Sequence, residues 1–517
     1  DVGWLEASGI TVHGPIVDTM IAAALIDENR YQYSLNSLSK DYLGELKAET
    51  DLKLAAEEHG IDAKREMWKL PAEHVGFYAE QDARLTLMLW QRFKQEIQQQ
   101  SLTTIWELES ELLPILIKMR QRGVRVQVES AEKLKQEMIR QEKEVMLAIK
   151  KESGLDIDIW AARQISTAFD KLKIEYPRTQ KTGEPSFTHN WLVNSKHKIS
   201  KLILQARELN KFHGTFLSSI MRYQINGRIH AEINQLRSDQ GGTVSGRLSM
   251  GNPNLQQIPA RNKDFGPKIR SLFIPEDGHQ WGSFDYSQQE PRMTVHYAAS
   301  IGEGYEGSQE LVDAYKNASA DFHQTVADLV GIERTQAKTI GLGLMYGMGK
   351  NKLANSLGLT KDEAEILISK YNRKVPFVKL LSEKCMLTAQ DKGVIRTKRG
   401  RKCRFDQWET KDFGLHLPET FDNAVAKYGR DNIKRAKTYK ALNRLIQGSS
   451  ADQTKQAMVD CYNAGHLPIL QIHDELCFNV KDKEDISTIK KTMEECIEFK
   501  VPFVVDHGTG KSWGDAK

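Results

Sequence analysis

The sequence predicts a multidomain protein of the α/β class, and three observations carry that expectation. The length of 517 residues suits roughly three domains of about 150 residues each. Long stretches place apolar residues at helical spacing, over 103–152, 202–221 and most of 310–400. Two apolar runs, 280–286 and 468–480, read as strands. With 40% hydrophobic and 27% charged residues, the balance is that of a soluble globular protein. No apolar run reaches the roughly 18 residues of a membrane span, and no signal peptide opens the chain. The first residue is Asp1 rather than Met, so a piece of a longer product is expected. Cys385, Cys403, Cys461, Cys477 and Cys496 form neither a CxxC pair nor a zinc spacing, and read as reduced thiols of a cytosol-like compartment.

The elements follow in order. "ELESELLPILIKMRQRG" (107–123) is a helix broken by Gly123. "VESAEKLKQEMIRQEKEVMLAIKKESG" (128–154) is a long, charge-alternating exposed helix, with Ser130 as its expected cap. "LILQARELNKFHGTFLSSIM" (202–221) is another helix, and "GRIHAEINQL" (227–236) alternates like a strand. There is no internal repeat and no long linker. The net charge of +4 is uninformative, but "RTKRGRKCR" (396–404) packs six Lys or Arg into nine residues. Such a run is a solvated face or a set of phosphate contacts, and both readings stay open here. "GTGKSW" (508–513) and "GLMYGMGKN" (343–351) lack the spacing of a phosphate-binding P-loop, so an ATPase has no support.

Three stretches carry chemistry. In "GSFDYSQQEPR" (282–292) an apolar approach ends on Asp285, and Glu290 and Pro291 stand where a strand would continue. In "ERTQAKTIGLGLMYG" (333–347), Arg334, Lys338, Leu342 and Tyr346 are spaced by four. At about 100° per residue each step drifts only about 40°, so they form one stripe. Gly341, Gly343 and Gly347 lie beside it at about 1 kcal/mol each inside a helix, which predicts a close approach. A polyphosphate on Arg334 and Lys338, with sugar and base along Leu342 and Tyr346, fits. In "LPILQIHDELCFNV" (467–480) two apolar arms flank His473, Asp474 and Glu475, which reads as a buried hairpin with acids at its tip. Asp285 and Asp474, from separate strands, could share hard divalent ions.

"DYSQQEPR", "RTQAKTIGLGLMYG" and "QIHDEL" resemble motifs A, B and C of family A DNA polymerases, the DNA polymerase I class. "GTVSGRLSMGNPNLQQIP" (242–259) resembles the template–primer motif, and "NRLIQGSSAD" (443–452) the helix before the hairpin. "FYAEQDARLTL" (77–87) is similar to the third motif of the 3′–5′ exonuclease, and Asp1 with "DTM" (18–20) to the second.

The resemblance implies roles. Asp285 and Asp474, supported by Glu475 and with Tyr286 beside them, hold two Mg²⁺ ions, Mn²⁺ being an alternative. Glu290 is a gate against a 2′-hydroxyl, with Gln288 nearby. Arg334 and Lys338 take the triphosphate, His323 lies close, and Leu342 and Tyr346 meet sugar and base. Arg247, Asn254, Gln257, Asn443, Gln447 and His473 face primer–template DNA. Asp1, Tyr78 and Asp82 belong to the exonuclease. The implied fold is a right hand with a truncated, ribonuclease H-like exonuclease domain over 1–100. A helical thumb spans 101–230, palm 231–304 and 440–517, and fingers 305–439. The implied activity is template-dependent addition of deoxynucleotides to a primer 3′ end, releasing pyrophosphate. The partners are DNA and dNTPs, with no membrane; the protein is a monomer in a bacterial or phage-infected cytoplasm.

The departures are informative. Leu342 stands where the family usually has Phe or Tyr. The 11 positions between His323 and Arg334 are a short connection of the phage replicative kind. No large insertion marks a processivity-factor site in 103–247. The acidic pair of the first exonuclease motif is not in the sequence, and two exonuclease aspartates do not hold two metals. Two alternatives stand beside this reading: a single-subunit RNA polymerase, which Glu290 would obstruct, and a non-catalytic DNA-binding relative, which would have lost an aspartate.

Overall fold

The computed structural model describes residues 1–516 apart from 48, 180–181, 260–261, 263, 302–307, 317–320, 413 and 415. The expected boundary at 304/305 therefore lies outside the described residues.

Helix α1 (Thr19–Ile26) starts where the Asp18 carboxylate accepts from the Met20 and Ile21 amides. It is followed by α2 (Leu35–Leu43) and the 28-residue α3 (Ala72–Gln99). Leu85, Leu89, Phe93 and Ile97 recur every four residues on α3 and are its buried stripe. Helix α4 (Thr103–Arg122) ends at Gly123, as expected. Gly123 has φ +64°, and a Cβ there would lie 2.8 Å from the His230 ring, so only glycine turns the chain at this point.

Helix α5 (Val128–Ser153) corrects the expected Ser130 cap: Gln127 is the cap residue and no side chain caps it. The chain entering the helix is held by main-chain bonds, from Val126 N–H to the Gly227 carbonyl and from Gln127 N–H to that of Leu272. Helix α6 (Lys198–Lys211) runs into a π-type turn, Phe212–Leu217, and then Ser218–Tyr223, so the helix expected over 202–221 is locally widened. The strand expected over 227–236 is two strands. Arg228–Ile229 pairs with Val124–Arg125, and Glu232–Asn234 pairs with Ser249–Gly251. Between them the His230 ring turns to the Arg120 carbonyl at 2.8 Å.

The central sheet has four strands: β1 (Gln280–Tyr286), β2 (Leu470–Ile472), β3 (Glu475–Val480) and β4 (Val505–Gly510), in the order β2-β3-β1-β4, all neighbours antiparallel. Strand alternation sorts its side chains. Phe284, Tyr286, Phe478 and Val480 enter one hydrophobic core, while Trp281 and Cys477 enter a second core with the 124–273 segment. Around the sheet stand α7 (Gln289–Ser300), α8 (Phe322–Val330), α9 (Arg334–Met345) and α10 (Ala441–Asn463).

Helix α10 is buried on nearly every side although its sequence is polar. Its buried Lys455 donates to both carboxylate oxygens of the buried Glu109, at 2.7 and 3.0 Å. Arg401 pairs with Glu109 and, at 2.7 Å, with Asp452, which also accepts from Thr397 at 2.6 Å. Burial raises the Glu109 carboxyl, but Lys455, Arg401 and Gln235 overcome it and leave it below its ordinary value.

This resolves the basic run 396–404, which is neither a solvated face nor a row of phosphate ligands. Arg396 bonds the Gln100 and Ser101 carbonyls at 3.0 and 3.2 Å, and Arg399 bonds Gln456. Lys402 bonds Gln100 at 2.9 Å, Arg404 pairs with Glu28, and Lys398 reaches the Glu498 carbonyl. All six cations staple this hairpin to the rest of the molecule.

Two buried histidines make stability acid-sensitive. Burial pulls both His296 and His323 down to about 4. The unfolded chain takes up these protons near pH 6.5, the folded chain only near 4. Each therefore contributes stability above about pH 6.5 that is lost as pH falls through that window, about 3 kcal/mol in full. His296→Gln removes one such contribution. The parent-minus-variant difference in unfolding free energy, followed by urea denaturation from pH 7.5 to 4.5, is expected to shrink by about 2.5 kcal/mol, most of that amount. A pH-independent difference would contradict it.

Candidate active site

The site is built where β1, the β2–β3 hairpin and α9 meet. Asp285 ends β1. Across the sheet its register partners are Glu475 of β3 and Asp506 of β4, so three acids lie side by side on one face. Asp474 sits in the hairpin turn beside His473, whose φ of +58° lets the two-residue turn close. The Tyr286 amide bonds the Asp474 carbonyl at 3.3 Å, fixing the turn against β1. The two carboxyls are close enough for Asp474 to push the Asp285 carboxyl up.

Like charges directly opposite in a sheet are destabilising, and the titration of the site reflects it. Asp285 is held well above its ordinary value by burial, then by Asp474, Glu475 and Asp506. Its carboxylate keeps an edge in solvent, so the crowding is local to the floor of the cleft. Burial also raises Asp474, against the pull of Arg247. Hard carboxylate oxygens that repel one another fit a divalent cation that also binds substrate phosphates. Among the described residues no third His, Cys, Asp or Glu joins them in metal-binding geometry. Glu475 turns away and accepts from the Trp513 indole at 3.2 Å.

The expected part of Tyr286 in a metal site is corrected for its side chain. As the next residue after Asp285 it faces the opposite side of β1, is buried there, and donates to the Met493 carbonyl at 2.7 Å. Only its backbone remains near the acids.

Gln288, at φ +55°, turns the chain from β1 into α7, and its side chain accepts from the Phe322 amide at 2.9 Å, tying the turn to α8. One residue on from the buried Gln289, Glu290 faces the cleft. It accepts from Arg247 at 2.5 Å and from the Tyr346 hydroxyl. The structure thus brings together Arg247, Glu290 and Tyr346, with Gln447 near the Tyr346 hydroxyl.

Helix α9 opens on a capping box between Glu333 and Gln336. Arg334 pairs with Asp321 at 2.6 Å, and Lys338 is exposed. Leu342 is half-buried, and Tyr346 lies one residue past the helix end rather than inside it. His323 is buried against Phe322, its Nδ1 without a hydrogen-bond partner, so it does not reach the cleft in this state.

The reading of the glycines is also corrected. Protein, not a ligand, approaches them: a Cβ at Gly343 would lie 2.8 Å from the Met348 sulfur, and Gly347 (φ +70°) faces the Tyr439 ring at 3.2 Å.

Asn443 and Gln447 lie part-exposed on α10, Gln257 and His473 are exposed, and the Asn254 side chain is spent on the Gln256 amide at 3.1 Å. Apart from this cleft, Asp1, Tyr78 and Asp82 line a separate cavity of about 640 Å³. Sequence reasoning missed Asp506, although an apolar run closed by an acid is the pattern that marked Asp285. It also missed Asp321, which nothing in the spacing marks.

The comparisons agree with this geometry. A family model described as DNA polymerase family A matches residues 128–515, and one described as 3′–5′ exonuclease matches residues 1–98. A DNA-directed DNA polymerase of Pseudomonas phage M6 is 36% identical over 96% of this chain and 79% of its own length. The DNA polymerase DpoZ of Salmonella phage PMBT28 is 30% identical over 96% of this chain and 84% of its own. Among solved structures, the POL domain of Pol1 from M. smegmatis, in complex with DNA primer-template and dNTP, is similar with a TM-score of 0.80 at 25% identity. That match covers 99% of this chain and 84% of that one. The same matches carry the divalent-metal dependence general to the family, and no helix among the described residues is long and apolar enough to cross a membrane. A floor of paired strand-end aspartates beneath a cation-bearing helix, together with these relatives, establishes that the chain belongs to DNA polymerase family A and is a DNA-directed DNA polymerase with an N-terminal region of the 3′–5′ exonuclease family.

Proposed function

We propose that Asp285 and Asp474 hold two Mg²⁺ ions and that the cleft extends a primer paired to a DNA template with dNTPs. The carrying observation is that Glu290 joins Arg247 and Tyr346 above the two raised carboxyls, which gathers the resembled motifs in one cleft. When bound, the ions lower the pKa of the primer hydroxyl and neutralise charge on the phosphates. Asp285 and Asp474 orient the reacting ends, and Lys338 and, once released from Asp321, Arg334 bind the triphosphate. Glu475 supports the floor from the Trp513 side. The thumb, palm and fingers follow the boundaries given above, with the exonuclease domain over 1–100.

Glu290 lies where the sugar of the incoming nucleotide would meet the cleft wall. Glu290→Ala is expected to raise ribonucleotide use relative to deoxyribonucleotide use by about tenfold or more, one RT ln 10 of selectivity. Single-turnover extension with each nucleotide measures it. A change in KM alone, with the sugar preference intact, would make Glu290 a purely structural partner of Arg247 and Tyr346 and would remove the gate from this reading.

Leu342 has no hydrogen-bond donor to stand in for a missing 3′-hydroxyl. The protein is therefore expected to discriminate against dideoxynucleotides, and Leu342→Tyr to relax that by roughly tenfold to a hundredfold, the worth of one hydrogen bond to a charged group. Competition between dideoxy- and deoxynucleotide reads it. An unchanged ratio would mean that Leu342 packs only against the core.

A further inference from the structure

One aromatic ring beside the cleft takes no part in the proposed chemistry. Tyr439 belongs to the short turn Thr438–Lys440 that leads into α10, and it is 55% exposed. A lone exposed tyrosine is ordinary, but this one is held in place. Its neighbour Thr438 is buried and accepts from the Gln390 side chain at 2.6 Å. The same Gln390 donates to the Arg435 carbonyl at 3.1 Å and accepts from the Arg435 amide at 3.2 Å. The Lys440 amide closes the turn on the Lys437 carbonyl at 3.0 Å. The backbone is thus fixed from below while the Tyr439 ring is turned outward.

That ring lies against the chain just past α9. A Cβ on Gly347 would come 3.2 Å from Tyr439 Cδ2 and 3.4 Å from the Tyr439 carbonyl oxygen. Gly347 follows Tyr346, which is 37% exposed and whose hydroxyl meets Glu290. Two exposed aromatic rings therefore flank the end of α9. Tyr439, Asn443 and Gln447 are spaced by four, and Asn443 and Gln447 are part-exposed while Leu442, Leu445 and Ile446 are buried. The three form one open stripe, which ends where Gln447 nears the Tyr346 hydroxyl. Lys437 and Lys440 are exposed beside it, the Lys440 ammonium 5.7 Å from the centroid of the Tyr439 ring. An aromatic face bordered by cations suits single-stranded nucleic acid: the ring takes a base and the cations take phosphates.

We propose that Tyr439 is the platform on which the first unpaired template base stacks before it is copied, with Lys437 and Lys440 on the adjoining phosphates. The inference rests on the proposed function, in which Tyr346 meets the nascent pair. Successive bases of a strand lie about 3.4 Å apart, so the template base beyond that pair is one step further out. Tyr439, packed on the residue after Tyr346, is the next ring available there. Every base has a π-face, so stacking holds a template without preferring a sequence.

The test uses the whole chain and two DNAs that share one duplex, one blunt and one with a template overhang, titrated by fluorescence anisotropy. Tyr439→Ala is expected to weaken binding of the overhang DNA about tenfold and of the blunt duplex by less than about twofold. Tyr439→Phe keeps the ring and is expected to match the parent. Tyr439→Leu keeps bulk over Gly347 without a π-face and is expected to share most of the alanine loss. A 5-iododeoxyuridine at the first overhang position, irradiated in the complex, is expected to cross-link to Tyr439. Unchanged overhang affinity in Tyr439→Ala overturns the proposal. An equal loss on both DNAs, or a leucine variant that matches the parent, makes Tyr439 a packing lid on Gly347 and overturns it too. Primer extension by the parent, measured alongside, separates these outcomes from a failure of the polymerase cleft: a parent that extends the primer leaves the proposed function standing in each of them. A parent that does not extend it overturns that function and the proposal together.

Discussion

Replacing Asp285 or Asp474 by alanine is expected to abolish nucleotide addition while leaving primer–template binding largely intact. The two carboxyls are forced together by the antiparallel pairing of β1 with the β2–β3 hairpin, and each is held above its ordinary value by burial and by acidic neighbours. Under the proposed function, that unfavourable arrangement suits a cation. Without either carboxylate, the charge stabilisation that a bound metal supplies, several kcal/mol, is lost. A drop of roughly 10³-fold in the rate of extension corresponds to about 4 kcal/mol of barrier. DNA affinity depends mainly on phosphate contacts elsewhere on the surface. Single-turnover primer extension and gel-shift titration on each variant measure the two separately. More than about a tenth of the parent rate, or roughly 1.4 kcal/mol, would remove these residues from the chemistry. The neighbouring Asp506 provides an internal comparison, since it faces Asp285 across β4 but lies outside the hairpin.

The second large effect concerns stability. Glu109→Ala is expected to destabilise the protein by about 3–5 kcal/mol, the cost of leaving buried cations unpaired. Glu109 is the acceptor shared by Lys455, Arg401 and Gln235, all buried. Burial already lowers the Lys455 ammonium to about 8 against the attraction of Glu109. Removing the carboxylate would free that lysine to lose its proton near neutral pH, and would leave Arg401 with Asp452 alone. Glu109→Leu combined with Lys455→Met removes one charge of each sign, and is expected to recover part of the loss because the unpaired charge is gone. Urea unfolding of the single and double variants measures this. A loss below about 1 kcal/mol for Glu109→Ala would mean that the network is hydrated rather than dry. The consequence for function is positional: a Cβ on Gly246 would lie 2.7 Å from the Arg401 guanidinium, so Arg401 buttresses the loop that presents Arg247.

Much of the site was legible in the chain. Asp285 at a strand end, Asp474 in a two-residue turn, and the helix beginning at Arg334 depend on spacing within single elements. Spacing within an element fixes which face a side chain occupies. The same logic failed for Tyr286, where strand alternation sends the side chain to the opposite core. It failed again for Gly343, whose neighbour is Met348 folded back over the helix end. In each case the sequence named a residue beside the chemistry but not the direction it faces.

What the sequence by itself determined is the set of candidate groups and their local order: two aspartates, a glutamate after the turn, and a helix carrying Arg334 and Lys338. What only the tertiary structure decided is who neutralises whom. The basic run 396–404 is spent on Glu109, Asp452, Glu28 and backbone carbonyls as far away as Gln100 and Glu498. Arg334 is held by Asp321, Asp285 is flanked by Asp506, and Lys47 stands over Asp82. The physical reason is that charge pairing acts through space over a few ångströms, whereas these partners are separated by up to hundreds of residues. Which acid meets which base is therefore set by strand register and helix packing, and neither is written in any one segment.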